Sequence, residues 1–145
     1  MSREIKFRAW EKKVGRMHTV MRINWTDVVD VGLLFHGVQV THPTPDGEVG
    51  MHFQAHEVEL MQFTGLLDKN GVEIYEGDIV AIDLWHGNEH GYIPEDGVIQ
   101  WHEGSCAFKW FGGDKSDLNN YWLSQADEKQ REVIGNVYQD KELLK

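Results

Sequence analysis

The chain has 145 residues, a length that fits one domain or two small subdomains. Hydrophobic residues make up 41% of it and include six Trp, six Phe and four Tyr, enough large side chains for a packed core. No apolar run approaches the roughly 20 residues of a membrane helix, and the first residues lack the apolar core of a signal peptide. The single cysteine, Cys106, cannot form a disulfide within the chain. These features predict a cytoplasmic protein without a transmembrane helix.

The net charge of −10 is unevenly distributed along the chain. Residues 1–22 contain seven Lys and Arg against two acids, a net +5, so the remaining chain carries −15. We interpret the basic segment as a hairpin that packs against acidic surface of its own or a neighbouring protomer. A nucleic-acid patch is the alternative, and repulsion between phosphates and the acidic remainder disfavours it. We therefore expect a homo-oligomer that does not bind nucleic acid.

The first half of the chain predicts β-hairpins. Apolar and basic residues alternate in 5–9, the period of a half-buried strand, and 17–25 reads as its return strand. Residues 26–35 are ambiguous, because Thr26 is a helix-capping residue whereas the valines favour extended backbone. The Pro- and Gly-containing segment 42–48 predicts a loop. Further strands are expected at about 37–41, 50–55 and 56–63.

Two turns with a physical basis lie within residues 60–80. In Asp68-Lys69-Asn70-Gly71, the Asp carboxylate can accept from downstream amides, and Asn-Gly tolerates the positive φ of a tight turn. In Glu76-Gly77-Asp78, the glycine is again free to take φ > 0. We assign structural roles in these turns to Asp68, Asn70, Gly71, Gly77 and Asp78. The two glycines are expected to matter for folding rather than for activity.

The second half predicts a compact set of short strands. We place a short strand between the two turns and further strands at 79–85, 97–101, 107–110 and 132–138. A polar loop is expected at 86–97, a short helix through 118–123 capped by Ser116 or Asp117, and one helical turn after Asp140.

Five short strands in about 65 residues can close on themselves, which removes open sheet edges. We therefore predict a mainly β protein with few short helices. A small SH3-like or related barrel is expected in a subdomain at 65–145, and a β-hairpin or oligomerisation subdomain at 1–64.

One motif has the letters of a metal site. His86-Gly87-Asn88-Glu89-His90 matches H-x-x-E-H, in which two imidazoles and a glutamate serve a zinc-dependent hydrolase. That chemistry needs one face of a helix, and the Gly and Asn residues here disfavour a helix. We predict a solvated loop, hence no catalytic, cofactor-binding or metal-binding residue. The candidates for the contrary hypothesis are His86, Glu89 and His90.

The other candidate residues have ordinary explanations. His52 and His56 would lie about 13 Å apart on a strand, too far to share one ion. Cys106 has no CxxC partner and is expected to be inert. No glycine motif of a nucleotide site occurs, so we expect no cofactor. The late aromatic residues are expected in the core or in a protein interface, since few basic residues accompany them; they are Trp85, Trp101, Trp110, Tyr121 and Trp122.

Several stretches resemble the YopX-like family of phage and prophage proteins. They are Arg3–Trp10, Leu60–Leu66, the Asp68–Gly71 turn with Glu73–Val80, and Glu132–Tyr138 followed by Glu142-Leu143-Leu144. The resemblance implies a small, mostly β, oligomeric protein of a mobile genetic element, with no catalytic motif to transfer.

Three hypotheses for function follow. The first is a non-enzymatic interaction or assembly protein in the bacterial cytoplasm, whose host or phage partner is unknown. The second is an acidic decoy of a nucleic-acid-binding host protein. The third is a metal-dependent hydrolase that uses the loop containing His86, Glu89 and His90.

Overall fold

The regular structure of the protein is almost entirely β. The computed structural model describes residues 4–29, 32–85, 87–103, 107–112, 120–122 and 127–144. Within these ranges there are eleven strands, three short 3-10 helices and no α-helix, which confirms the prediction of a mainly β protein with few short helices. None of the helices in these ranges is long and apolar enough to cross a membrane.

The strands are numbered in chain order. They are β1 (Phe7–Glu11), β2 (Arg16–Val28), β3 (Gly32–Thr44), β4 (Gly47–Gln54), β5 (Val58–Leu67), β6 (Glu73–Tyr75), β7 (Asp78–Trp85), β8 (Tyr92–His102), β9 (Ala107–Gly112), β10 (Asn120–Trp122) and β11 (Arg131–Asn136). The 3-10 helices are Ala55–Glu57, Glu128–Gln130 and Lys141–Leu144.

The chain divides into two compact units. One comprises Lys6–Gln62, and the other comprises Phe63–Lys145 together with Met1–Ile5. The separate roles predicted for 1–64 as an oligomerisation subdomain and for 65–145 as a barrel subdomain stay predictions.

The unit Lys6–Gln62 is one antiparallel sheet in the order β4-β3-β2-β1-β5. Its core is a cluster of alternating apolar residues, which share one face because successive side chains of a strand point to opposite faces. Val38 illustrates the pattern, since it lies between Ile23 on β2 and Phe53 on β4. The buried members are Ala9, Val38, Val40, Phe53 and Val58.

Two segments of this unit are more extended than the sequence indicated. Of the ambiguous segment 26–35, residues 26–28 belong to β2 and 32–35 to β3, and residues 30–31 lie outside the described residues. The loop predicted at 42–48 is shorter, a turn at 45–46, because β3 runs to Thr44 and β4 begins at Gly47. Pro43 is tolerated there because the pairing of β3 with β2 ends at Val40, so its missing amide takes no ladder bond from that side.

The unit that begins at Phe63 contains a second antiparallel sheet in the order β10-β9-β8-β7-β11. Four consecutive strands form a meander, and β11 returns to pair with β7 after the helix Glu128–Gln130. The end of β5 pairs with β6 beside it. The core consists of Ile74, Val80, Ile82, Ile99, Phe108 and Trp110. Closure of this sheet as an SH3-like barrel stays a prediction.

Two expectations for the second sheet are wrong. The loop predicted at 86–97 is shorter, since β8 begins at Tyr92, and Pro94 fits because the pairing of β8 with β9 starts only at Gly97. The helix predicted through 118–123 is replaced at 120–122 by β10, which pairs with β9. Aromatic residues favour strands wherever a partner strand is present, and the partner here is not visible locally in the sequence.

Candidate functional site

The Asp68 turn connects the β5–β6 hairpin to the last strand. The fully buried Asp68 carboxylate accepts from the backbone N–H groups of Asn70 at 2.8 Å, Val72 at 2.9 Å and Val133 at 3.0 Å. The Nε of Arg131 donates to the carbonyl of Leu67 at 2.7 Å. Asp68 therefore holds a local turn and a contact 65 residues away, which is a structural role.

These hydrogen bonds determine the charge state of Asp68. Burial acts to raise the pKa of its carboxyl, but the N–H groups of Val133, Val72 and Asn70 favour the charged form. The nearby Lys69 acts in the same direction, so the pKa lies below its ordinary value. A carboxylate that is charged at neutral pH and accepts from three backbone amides is a turn-forming group rather than a proton-transfer group.

The second turn, at Glu76-Gly77, is held by backbone and side chain together. The Oδ2 of buried Asp78 accepts from the N–H of Tyr75 at 2.7 Å. Gly77 lies at φ +83°, donates to the carbonyl of Ile99 at 2.8 Å and accepts from Val137 at 2.9 Å. Gly77 thus joins the turn to both β8 and the segment after β11.

Valine at Gly77 is expected to lower the free energy of unfolding by about 1–3 kcal/mol, because a β-branched residue is strained at positive φ. Gly71 also lies at positive φ, +78°, so Gly71→Val should be destabilised by the same backbone strain, although an added Cβ there meets open space. Thermal melts of both variants test this. An unchanged melting temperature for both would contradict the assignment of the turns.

The loop that contains the H-x-x-E-H motif forms a tight turn. Residues 88–90 are in turn conformation, and Gly87 and Gly91 flank them at φ +89° and +67°. The N–H of His90 donates to the carbonyl of Gly87 at 3.2 Å. His86 lies outside the described residues. In the described ranges, no group of three or more His, Cys, Asp or Glu is placed to hold a metal ion.

Zinc bound to this loop is expected to stay well below one equivalent per chain. A zinc site needs ligands converging on one point and a second shell that fixes them. Elemental analysis after dialysis of protein purified without a His-tag measures this. One zinc per chain, removed by His90→Ala and retained by His102→Ala, would contradict the prediction and favour the hydrolase hypothesis.

The second candidate histidine pair, His52 and His56, does not lie on a single strand. His52 is on β4, whereas His56 lies in the 3-10 helix Ala55–Glu57, so the distance expected along one strand does not apply. The ring of His52 instead faces that of His36 on β3, with ring centroids 6.2 Å apart. Both of these histidines are exposed.

The structure contains a buried acid–histidine pair that was not predicted from the sequence. His18 Nε2 lies 2.9 Å from Glu11 Oε2, and both residues are buried. The two residues flank the β1–β2 turn, and the His18 ring also packs against Phe53 at a centroid distance of 5.3 Å. The sequence signal for this pair is the spacing of two residues between Ala9 and Glu11, which places both side chains on one face of β1. The pair joins β1 to β2, a structural role like that of Asp68.

The largest side chains exposed on the second sheet are aromatic. Trp85 and Tyr92 are 56% and 60% exposed and stack edge to face at a centroid distance of 5.1 Å, near the loop that joins β7 and β8. Trp101 is 42% exposed and stacks on Phe108. Trp110, by contrast, is fully buried, and the side chains of Tyr121 and Trp122 lie outside those described. The aromatic residues thus divide between the core and the surface.

Comparisons with known proteins place the chain in a family. A family model described as YopX protein matches residues 6–145, nearly the whole chain. The chain belongs to the YopX family. Its structure is similar to the crystal structure of protein EF1440 from Enterococcus faecalis, with a TM-score of 0.61 and 27% identity over 99% of this chain and 100% of that one. No curated protein matched it.

The YopX match confirms the resemblance seen in the sequence. It extends across both turns, the Glu11–His18 pair and the exposed aromatic residues, so all of these belong to the matched region. The phage or prophage origin of this YopX-family protein stays a prediction.

Proposed function

We propose that this YopX-family protein is a non-enzymatic interaction or assembly protein of a phage or prophage, and that it acts as a homo-oligomer in the bacterial cytoplasm. The observation that carries the proposal is the exposed Trp85–Tyr92 pair. Trp and Tyr are enriched in the cores of protein interfaces, where a rigid ring buries a large area at low entropic cost.

The buried polar residues support the same proposal. Asp68 and Asp78 accept from backbone amides, and Glu11 pairs with His18, so each of these groups has a role in folding. The buried Arg131 donates to the carbonyl of Leu67. The distribution of charge adds an electrostatic reason for self-association, since residues 1–22 are +5 in a chain of −10.

No specific observation favours the two alternatives. An acidic decoy of a nucleic-acid-binding host protein would present carboxylates in a row at phosphate-like spacing. A hydrolase would need converging metal ligands, and Glu89 and His90 lie in a tight turn. Nucleic acid is not expected as a partner of the basic segment, because each bound phosphate would meet the field of the acidic remainder.

Light scattering of the whole protein at micromolar concentration and 0.15 M salt is expected to give a mass above the 16.8 kDa of one chain. The physical reason is burial of the exposed aromatic residues between copies, aided by the opposite charges. A monomer across a hundredfold range of concentration would rule out the homo-oligomer. An affinity pull-down from phage-infected cells, read by mass spectrometry, would then identify the partner.

A further inference from the structure

The hairpin formed by β7 and β8 carries an apolar surface bordered by carboxylates. Trp85 lies directly opposite Tyr92, and Asp83 and Asp96 lie on the same face at even spacings from that pair. We call these four residues the acidic aromatic face. Tyr92 and Asp96 are exposed on β8, and Trp85 is exposed on β7.

The sequence around the acidic aromatic face is strongly acidic. No Lys or Arg occurs between Lys69 and Lys109, a stretch that contains eight acids. Lys69 interacts with Asp83, but its Nζ is bound to Glu132, 2.6 Å from Oε2. The face therefore favours a ligand that is cationic and partly apolar, since aromatic rings attract cations and carboxylates pair with them.

A segment with these properties lies elsewhere in the same chain. The turn between β1 and β2, Lys12–Gly15, is closed by the pairing of Glu11 with Arg16 and by the N–H of Gly15, which donates to the Glu11 carbonyl at 3.0 Å. We call Lys12–Arg16 the basic turn. Every residue in it is exposed, including Val14 at 59%.

We propose that the acidic aromatic face of one copy binds the basic turn of a second copy. Val14 would contact the aromatic rings while the flanking cation of Lys13 meets the rings and the carboxylates. The charges of the two surfaces are complementary, which favours a second copy of this chain as the occupant. The inference rests on the proposed homo-oligomer and names its contact.

The contact joins two different surfaces, the acidic aromatic face of one copy and the basic turn of another. Each copy carries one surface of each kind, so two copies can pair reciprocally or several can join in a ring or a chain. All of these arrangements predict a behaviour that a contact between the same surface of two copies does not show. Two variants, each defective in a different surface, should bind one another, because together they retain one intact face and one intact turn.

The test uses two full-length variants and two controls in sedimentation equilibrium. Lys13→Glu with Val14→Ser disables the basic turn, and Tyr92→Ala with Asp96→Lys disables the acidic aromatic face. Lys129→Glu and Asp46→Lys are the controls, since each reverses a charge at an exposed site outside both surfaces. Thermal melts establish that all four proteins fold.

The dissociation constant for self-association of each disabled variant is expected to be at least about tenfold higher than that of the wild type. Both controls should have the dissociation constant of the wild type. A mixture of the two disabled variants should restore a 1:1 complex. Raising the salt concentration from 0.05 to 0.5 M should weaken association of the wild type, as screening of complementary charges requires.

The contrary outcomes are distinguishable. A monomeric wild type would overturn the proposed homo-oligomer itself. An oligomeric wild type with both disabled variants equally oligomeric would overturn this contact and leave the homo-oligomer standing. Loss of association in both variants with no restoration on mixing would overturn the binding of the face to the turn.

Discussion

Replacement of Asp68 by alanine is expected to lower the free energy of unfolding by about 3 kcal/mol. The substitution removes the acceptor of three backbone N–H groups and leaves that of Val133, which ties the turn to β11, without its partner. Asp68→Asn keeps one carbonyl oxygen and should cost less than Asp68→Ala. Urea unfolding at neutral pH measures both variants.

The pH dependence of stability identifies the charge as part of this effect. Because the pKa of Asp68 is lower in the folded protein than the ordinary value of about 3.9, its contribution is fully present above that pH. The contribution is lost as the pH falls through the lower folded pKa. The difference in stability between the wild type and Asp68→Asn should therefore narrow below about pH 4.

Asp46 provides a matched control for the Asp68 experiment. It also lies in a tight turn, between β3 and β4, but it is exposed. Asp46→Asn is expected to change stability by less than about 0.5 kcal/mol at any pH in the series. A loss at Asp68 no larger than the loss at Asp46 would show that the buried carboxylate does not hold the turn.

The local parts of this structure were predictable from the sequence. Asp68 and Gly71 predict a turn, because an Asp side chain accepts hydrogen bonds from downstream amides and glycine adopts positive φ. Both effects act within four residues. The alternation of apolar and basic residues predicted β1, and the apolar run predicted β7, because these patterns are also local. These signals require no knowledge of what lies across the sheet.

The missed features depend on partners that the local sequence does not show. The β10 strand exists beside β9, and the Asp68 carboxylate reaches Val133, 65 residues later. The same limit applies to the exposed aromatic residues. Trp85 and Trp110 look alike in the sequence, and only the pairing of the strands shows that the first is exposed and the second buried.

The packing of Trp110 in the core of the second sheet also depends on strand pairing, because it involves two glycines on neighbouring strands. Gly97 on β8 and Gly112 on β9 lie directly opposite each other, and the buried indole of Trp110 covers them. A Cβ added at Gly97 would lie 2.5 Å from the indole Nε1, and one at Gly112 would lie 2.5 Å from Cη2. The indole N–H donates to the carbonyl of Val80 at 2.8 Å, which limits its movement.

Gly97→Ala is accordingly expected to destabilise the protein by about 2–3 kcal/mol, since a methyl group is forced against a buried ring whose movement its hydrogen bond to Val80 limits. Gly50→Ala is the matched control, because Gly50 also lies in a strand but an added Cβ meets open space there. The control should be close to neutral. Urea unfolding compares the two variants.

Trp110→Phe separates steric overlap from other effects of the alanine. The smaller ring loses the hydrogen bond to Val80 and leaves a cavity, so alone it should cost about 2–3 kcal/mol. It also removes the atoms that the new methyl group meets at Gly97. The double variant should therefore be less destabilised than the sum of the single variants, by about 1–2 kcal/mol. Strict additivity would show that the glycine is required for a reason other than the close approach of the indole.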